Sequence, residues 1–328
     1  MRFSKNKDLN NKAVEFVKAY STLKTEALSL DKYNQVYVKK YLEKLEYNTY
    51  LACHLLEGLD LESYNSVIDL GGGIGFNTAF FSFIGCKNVV YFDVDKISTR
   101  DAKAINVSLG LTNIEYYSTG FEDLIKIDLS QSLVCSRDVI EHIYDLPAFF
   151  EITKPAKLNR HNTAAVLNSV FRKKEFKNIH HNAEHIGATS EIKKQRDSTS
   201  AYFDLRKTII ADIVPQKTEA ELLQLTKATR GMIKADIEQF LFSSKLPLFH
   251  SKVLHTNTCD PNTGNWAERT LSFANYKQLA QAIPLKFRLV KYNEFDGNFL
   301  KKGALRFLNF VLRISKNERL CPSFSAEY

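Results

Sequence analysis

Hydrophobic positions along the chain change period near residue 66. Before it, Leu42, Leu45, Thr49, Ala52, Leu56 and Leu59 recur at steps of three and four, which places them on one helical face. Gly58 offers a stop. From Ser66 onward, short apolar runs alternate with longer amphipathic stretches. Segments 67–70, 88–92, 113–117, 132–136 and 163–168 predict five strands, and 98–109 and 146–154 predict crossover helices. Strands alternating with helices imply a mostly parallel α/β sheet covered on both faces. Right-handed crossovers then align the strand C-termini along one edge, where ligands bind.

Between about residues 171 and 272 the strand signal fades. Thr218-Glu219-Ala220-Glu221 fits a capping box. Leu222, Leu223, Leu225 and Ala228, then Gly231, then Met232, Ile233, Ile237, Phe240 and Leu241 read as a helical hairpin or kinked pair. After the turn-rich 260–266 loop, 275–282 predicts a helix, 286–292 a strand, 300–314 an amphipathic basic helix and 320–328 a last strand. The expected organisation is an N-terminal helical segment (1–62), a Rossmann-like core (63–170), an inserted helical subdomain (171–272) and a C-terminal part completing the core (273–328).

Composition changes this picture little. Hydrophobic residues make up 44% and charged residues 25% of 328, as in ordinary globular chains. No run is long and apolar enough to span a bilayer. The polar start predicts no export signal, and five scattered cysteines read as free thiols of a reducing, cytoplasmic compartment. The net charge of +8 permits nucleic acid or an anionic surface as partner. The basic 300–314 helix has two readings: it lies on a membrane surface, or it covers the sheet with its cations in water.

The chemistry concentrates at Asp69-Leu70-Gly71-Gly72-Gly73-Ile74-Gly75, after a strand and before a helix starting near Asn77. Glycines there let the chain turn sharply and let a ligand approach the backbone. Asp93 ends the next strand, about 20 residues on, as a carboxylate holding ribose hydroxyls does. Asp95 competes for that role. A dinucleotide fingerprint would need a third glycine where Phe76 stands. A phosphate loop would need a lysine that is absent.

The spacing D-x-G-x-G-x-G resembles that of class I S-adenosylmethionine-dependent methyltransferases. Asp138-Val139-Ile140-Glu141-His142 is similar to the segment after their fourth strand, and Gly120-Phe121-Glu122-Asp123-Leu124 to the adenine-holding loop, with glycine at position 120 where relatives often carry an acid. The tract from Leu222 to Arg269 resembles a bacterial subgroup with a helical insertion. The resemblance implies S-adenosylmethionine as cofactor, held by Asp69, Gly71, Gly73, Gly75, Asp93, Phe121, Glu122 and Asp138. The expected acceptor is a small molecule or glycan, methylated at oxygen. RNA or protein acceptors, or a binding protein that has lost catalysis, are the alternatives.

A hydroxyl acceptor needs a base. Histidine is the side-chain type suited to that role at neutral pH, and His142 reads either as that base or as a packing residue. His180 and His181, with Glu184 and His185, follow the fifth strand, where acceptors sit. His181 and His185 share a helical face, and with Glu141 they form a candidate metal-ligand set. A polar acceptor pocket is the preferred reading, with no metal expected. Trp266 and Arg269 read as a far wall or as packing of the insertion.

Overall fold

The computed structural model describes residues 2–166, 169–170, 172–189, 199–246, 256–295 and 297–328. Contacts divide the chain into two units: Met1–Ile140, Pro147–Ala164 and Ala282–Tyr328 form one, and Glu141–Leu146 and Ala165–Gln281 the other.

The first unit holds the sheet. Its strands are β1 (Ser66–Leu70), β2 (Val89–Phe92), β3 (Ile114–Tyr117), β4 (Ser132–Arg137), β5 (Leu158–Thr163), β6 (Lys286–Val290) and β7 (Ser323–Glu327). They lie in the order β3-β2-β1-β4-β5-β7-β6. All pairings are parallel except those of β7, which runs antiparallel to β5 and β6. The order reverses between β1 and β4, the place where open α/β sheets bind ligands.

Helices α4 (Phe76–Phe83), α5 (Lys96–Ser108) and α6 (Leu146–Thr153) connect the strands. The early apolar periodicity splits into α2 (Lys32–Glu43) and α3 (Leu45–Leu56), broken at Lys44, where φ is −123° and ψ 32°. A further helix, α1 (Lys7–Ser21), precedes them with Asn6 as its cap. Its Phe16 and Tyr20 rings meet the Phe76 ring edge-on at 5.5 and 5.0 Å. The ring that argued against a dinucleotide loop thus belongs to the core.

The fifth strand is β5, Leu158–Thr163, not 163–168. Leu167 and Asn168 lie outside the described residues. The apolar run was a false signal, because β5 is a buried strand of polar residues. Asn159 Nδ2 donates to the Thr153 carbonyl at 2.9 Å. Arg160 pairs with Glu327 at 2.8 Å and donates to the carbonyls of Leu55 and Glu57. Ser136 Oγ meets His161 Nδ1 at 2.9 Å. Buried polar groups are tolerated when they are paired in this way.

The second unit carries α7 (Lys173–His185), α8 (Tyr202–Ile213), α9 (Glu219–Ala228), α10 (Lys234–Ser243) and α11 (Phe273–Leu279). Thr218 and Glu221 close the expected capping box on α9. Ile210, Met232 and Ile237 form its small apolar centre, with Leu222, Leu225 and Phe240 packed against them. In the first unit, the C-terminal helix is α12 (Phe299–Ser315). Among the described residues no helix is long and apolar enough to cross a membrane.

Candidate active site

β1 delivers the chain into a loop of left-handed turns. Gly71, Gly73 and Gly75 have φ of 62°, 52° and 75°, angles that cost side-chain-bearing residues free energy. Gly71 is further constrained by the segment after β4: an added Cβ would stand 2.5 Å from Val139 Cγ2. At Gly75 a Cβ would stand 2.8 Å from the Ala102 Cβ of α5. At Gly73 it would meet nothing within 4 Å, so the loop is open on that side. Gly72 lies against the Tyr91 ring, 2.4 Å from where its Cβ would be, and the Tyr91 hydroxyl donates to the Gly73 carbonyl at 2.7 Å.

The two competing acids have separate tasks. Asp93 Oδ2 accepts the Gly73 N–H at 2.9 Å and its Oδ1 the Asp95 N–H at 2.9 Å. Asp95 caps α5, accepting the Ile97 and Ser98 amides and the Ser98 hydroxyl at 2.6 Å. Asp69 is fully buried. Its carboxylate accepts the Thr78 hydroxyl at 2.7 Å and the Thr78 amide at 3.0 Å. Burial pushes this carboxyl up to about 6, against the pull of those hydrogen bonds. Asp69, expected among the residues that hold the cofactor, has no exposed surface; it ties β1 to α4 and shapes the loop.

Past β3, Phe121 meets Phe149 edge-on at 5.3 Å. Glu122 folds back over Gly120, where an added Cβ would stand 2.1 Å from Glu122 Oε2. The glycine that departs from the family pattern thus makes room for the neighbouring carboxylate. At the end of β4, exposed Asp138 has φ 55°, rare for a residue with a side chain and often found at functional sites. Its amide donates to the Asn162 carbonyl at 2.8 Å. Arg137, buried beside it, lays its guanidinium over the Tyr41 ring at 4.7 Å, a contact with no signal in the sequence.

In the second unit, Glu141 and His142 run alongside 266–269. The Trp266 amide donates to the His142 carbonyl at 3.2 Å and the Arg269 amide to the Glu141 carbonyl at 3.1 Å. His142 Nδ1 lies 2.8 Å from the Trp266 carbonyl. A carbonyl only accepts, so Nδ1 carries the proton and the Nε2 of the neutral ring carries the lone pair. Glu268 Oε1 stands 3.9 Å from that Nε2, on a residue with φ 56°. Ligand-capable atoms of Glu141, His142 and Glu268 lie within 4.8 Å of one another. Arg269 is buried over the Trp266 ring at 4.5 Å, and burial lowers it to about 10. Tyr144 stacks on Trp266, ring centroids 5.8 Å apart. It also donates to Asp236 and accepts the Ile233 N–H at 3.1 Å.

The three histidines expected as a catalytic group do not share one environment. His180 is buried in the second unit, and its Nε2 lies 2.9 Å from the Glu268 carbonyl. Burial lowers its pKa, and it supports the backbone that carries Glu268. His181 is exposed and packs on His185, ring centroids 5.1 Å apart. Glu184 is turned inward to pair with Arg206. The difference follows from helix geometry: successive α7 residues diverge by about 100°, so His181 faces water while His180 faces the core. Glu141 groups with His142 and Glu268 instead of with His181 and His185. Glu268 and Tyr144 were missed because one sits on a loop without periodicity and the other reads as an ordinary aromatic.

No family model matches the chain. It is 24% identical over 165 residues to a ribosomal RNA small subunit methyltransferase G of Campylobacter jejuni subsp. doylei, covering 50% of this chain and 80% of that one. The same protein of Campylobacter jejuni subsp. jejuni matches over the same length at the same identity. Among solved structures, PKMT2 from Rickettsia typhi in complex with AdoHcy has a TM-score of 0.41 at 16% identity, over 83% of this chain and 49% of that one. A putative S-adenosylmethionine-dependent methyltransferase from Listeria monocytogenes has a TM-score of 0.30 at 17% identity, over 35% of this chain and 54% of that one. The chain thus spans about half the length of these two structures.

Proposed function

We propose that this chain, a class I S-adenosylmethionine-dependent methyltransferase, methylates a hydroxyl of a small molecule or glycan with His142 as the base. The observation that carries this reading is the bond between His142 Nδ1 and the Trp266 carbonyl. It fixes the tautomer that leaves Nε2 able to accept a proton.

The residues of the glycine loop suit the cofactor. Gly73 leaves an open cradle, and Asp93 is held at its rim by two amides. Gly71, Gly73, Gly75, Asp93, Phe121, Glu122 and Asp138 are the residues we assign to cofactor binding. When bound, S-adenosylmethionine supplies an electrophilic methyl on a sulfonium and becomes a neutral thioether on losing it. The protein's tasks are to hold the acceptor oxygen in line and to remove its proton. Alignment is worth about 7–11 kcal/mol of barrier. His142 Nε2 takes the hydroxyl proton as the new O–C bond forms. The Glu268 carboxylate, 3.9 Å away, then faces the resulting imidazolium and stabilises it. Half-buried Tyr144, backed by the buried Trp266 and Arg269, offers an aromatic wall for a ring-bearing acceptor.

The Campylobacter relative and the net charge of +8 support a second reading, an RNA acceptor. The test is methyl transfer from labelled S-adenosylmethionine into small-molecule, glycan and RNA fractions. Label in a ribonuclease-resistant acceptor, reduced about 10²–10⁴-fold by His142→Gln with cofactor affinity unchanged, supports the first reading. Label confined to ribonuclease-sensitive material overturns it in favour of the second.

A further inference from the structure

α12 presents a large apolar face to water. Phe299, Leu300, Phe307, Phe310 and Ile314 are 86, 79, 65, 51 and 67% exposed. At about 100° per residue they fall within one arc of about 100°. Singly exposed apolar side chains are ordinary, but a contiguous stripe of this kind marks an interaction surface. The helix is held in this orientation. Asn309, on its inner side, accepts the Tyr292 amide at 2.7 Å and donates to the Tyr292 carbonyl at 3.2 Å. It donates also to Glu294 Oε2 at 3.1 Å. Leu312 is buried beside it. Rolling the helix to hide Phe310 would break all three bonds.

The charge on this helix is of one sign. Lys301, Lys302, Arg306, Arg313 and Lys316 lie between positions 299 and 316, and no acid does. Lys302, Arg306 and Arg313 fall within about 40° of one another along one edge of the stripe. The Arg313 guanidinium sits 5.7 Å from the Phe310 ring centroid.

We infer that α12 docks the protein onto an anionic phospholipid surface, lying in the plane of the interface. Phe299, Phe307, Phe310 and Ile314 enter the boundary between headgroups and acyl chains, and the cationic edge meets lipid phosphates. This is the pattern of an interfacial helix: an apolar face, a basic flank and too little apolar length to span. The long Lys and Arg stems let their charges reach the headgroups while their methylenes stay in apolar surroundings. Charge complementarity selects the bilayer over a second copy, because two copies meeting on this face would bring two acid-free cationic edges together. It is selected over RNA because Leu300 and Ile314 have no ring to stack on bases.

The test is flotation of the full chain with vesicles of phosphatidylcholine alone and of phosphatidylcholine mixed with phosphatidylglycerol. The expected result is binding to the mixed vesicles only, weakened by salt. Phe307→Asp with Phe310→Asp lowers the bound fraction about tenfold. Arg306→Gln with Arg313→Gln removes the dependence on phosphatidylglycerol. Circular dichroism and S-adenosylmethionine affinity stay unchanged in both variants, because the substituted side chains are exposed and outside the cofactor residues. No flotation with mixed vesicles overturns the inference, as does flotation indifferent to the phenylalanine substitutions. Self-association, or RNA binding, that the phenylalanine variant abolishes in a protein without vesicle binding reassigns the stripe and overturns it too.

Discussion

Of the glycines in the loop after β1, Gly72 leaves the least room for a side chain, although its backbone is not left-handed. A methyl there would overlap the Tyr91 ring, and that ring's hydroxyl holds the Gly73 carbonyl. Gly72→Ala is expected to weaken S-adenosylmethionine binding at least about tenfold with secondary structure intact, as titration calorimetry and circular dichroism would show. Asp69 makes a different prediction. Its folded pKa of about 6 lies above the usual carboxyl value, so folding favours the protonated form. The stability it contributes is full below about pH 4 and is lost as pH rises through 6. The advantage of Asp69→Asn over the parent, measured by urea unfolding, should therefore shrink by about 3 kcal/mol from pH 8 to pH 4. Among the histidines, exposed His181→Ala should leave kcat within about twofold. Equal losses in His181→Ala and His142→Gln would remove the assignment of the base.

At the scale of elements, β5 is held by hydrogen bonds as much as by apolar burial. His161 is fully buried, between Ser136 and the Tyr328 hydroxyl. Burial pulls its pKa from 6.5 to about 3. A lowered histidine pKa means folding favours the neutral ring. Its stability is full above 6.5 and is lost as pH falls from there towards 3, about 2 kcal/mol of it by pH 5. His161→Asn should flatten this part of the stability–pH curve, a change readable from unfolding midpoints at pH 7 and 5. The helices α2 and α3 show the opposite lesson: the periodicity was legible but their break was not. Lys44 leaves helical geometry without glycine or proline to announce it.

At the scale of the molecule, the second unit is organised around a buried charge. Glu184 pairs with Arg206, accepts the Thr258 hydroxyl at 2.5 Å and lies 3.9 Å from Arg230. Removing one partner of such a pair strands the other. Arg206→Met should lower unfolding free energy by about 3–5 kcal/mol, and chemical denaturation would measure it. A neutral result would mean that Arg230 suffices for Glu184. This network stands beside the apolar cluster of Ile210, Met232 and Ile237, so ion pairing and apolar packing together hold the unit.

The sequence by itself determined the parallel α/β core, the glycine loop, the acid after β2 and the segment after β4. Each is local: a strand period, a turn that requires left-handed angles, or an acid at a fixed distance along the chain. The α9 capping box was legible for the same reason. Tertiary structure decided what depends on partners distant in the chain. Asp69 turns inward because Thr78 and burial hold it there. His142 acquires its tautomer from a carbonyl more than a hundred residues away. β5 is a strand because Glu327, Ser136 and three backbone carbonyls pair with its Arg160, His161 and Asn159 side chains. α12 shows an apolar face because Asn309 anchors the other side. Periodicity places side chains on faces, and only long-range contacts decide which face is turned to water.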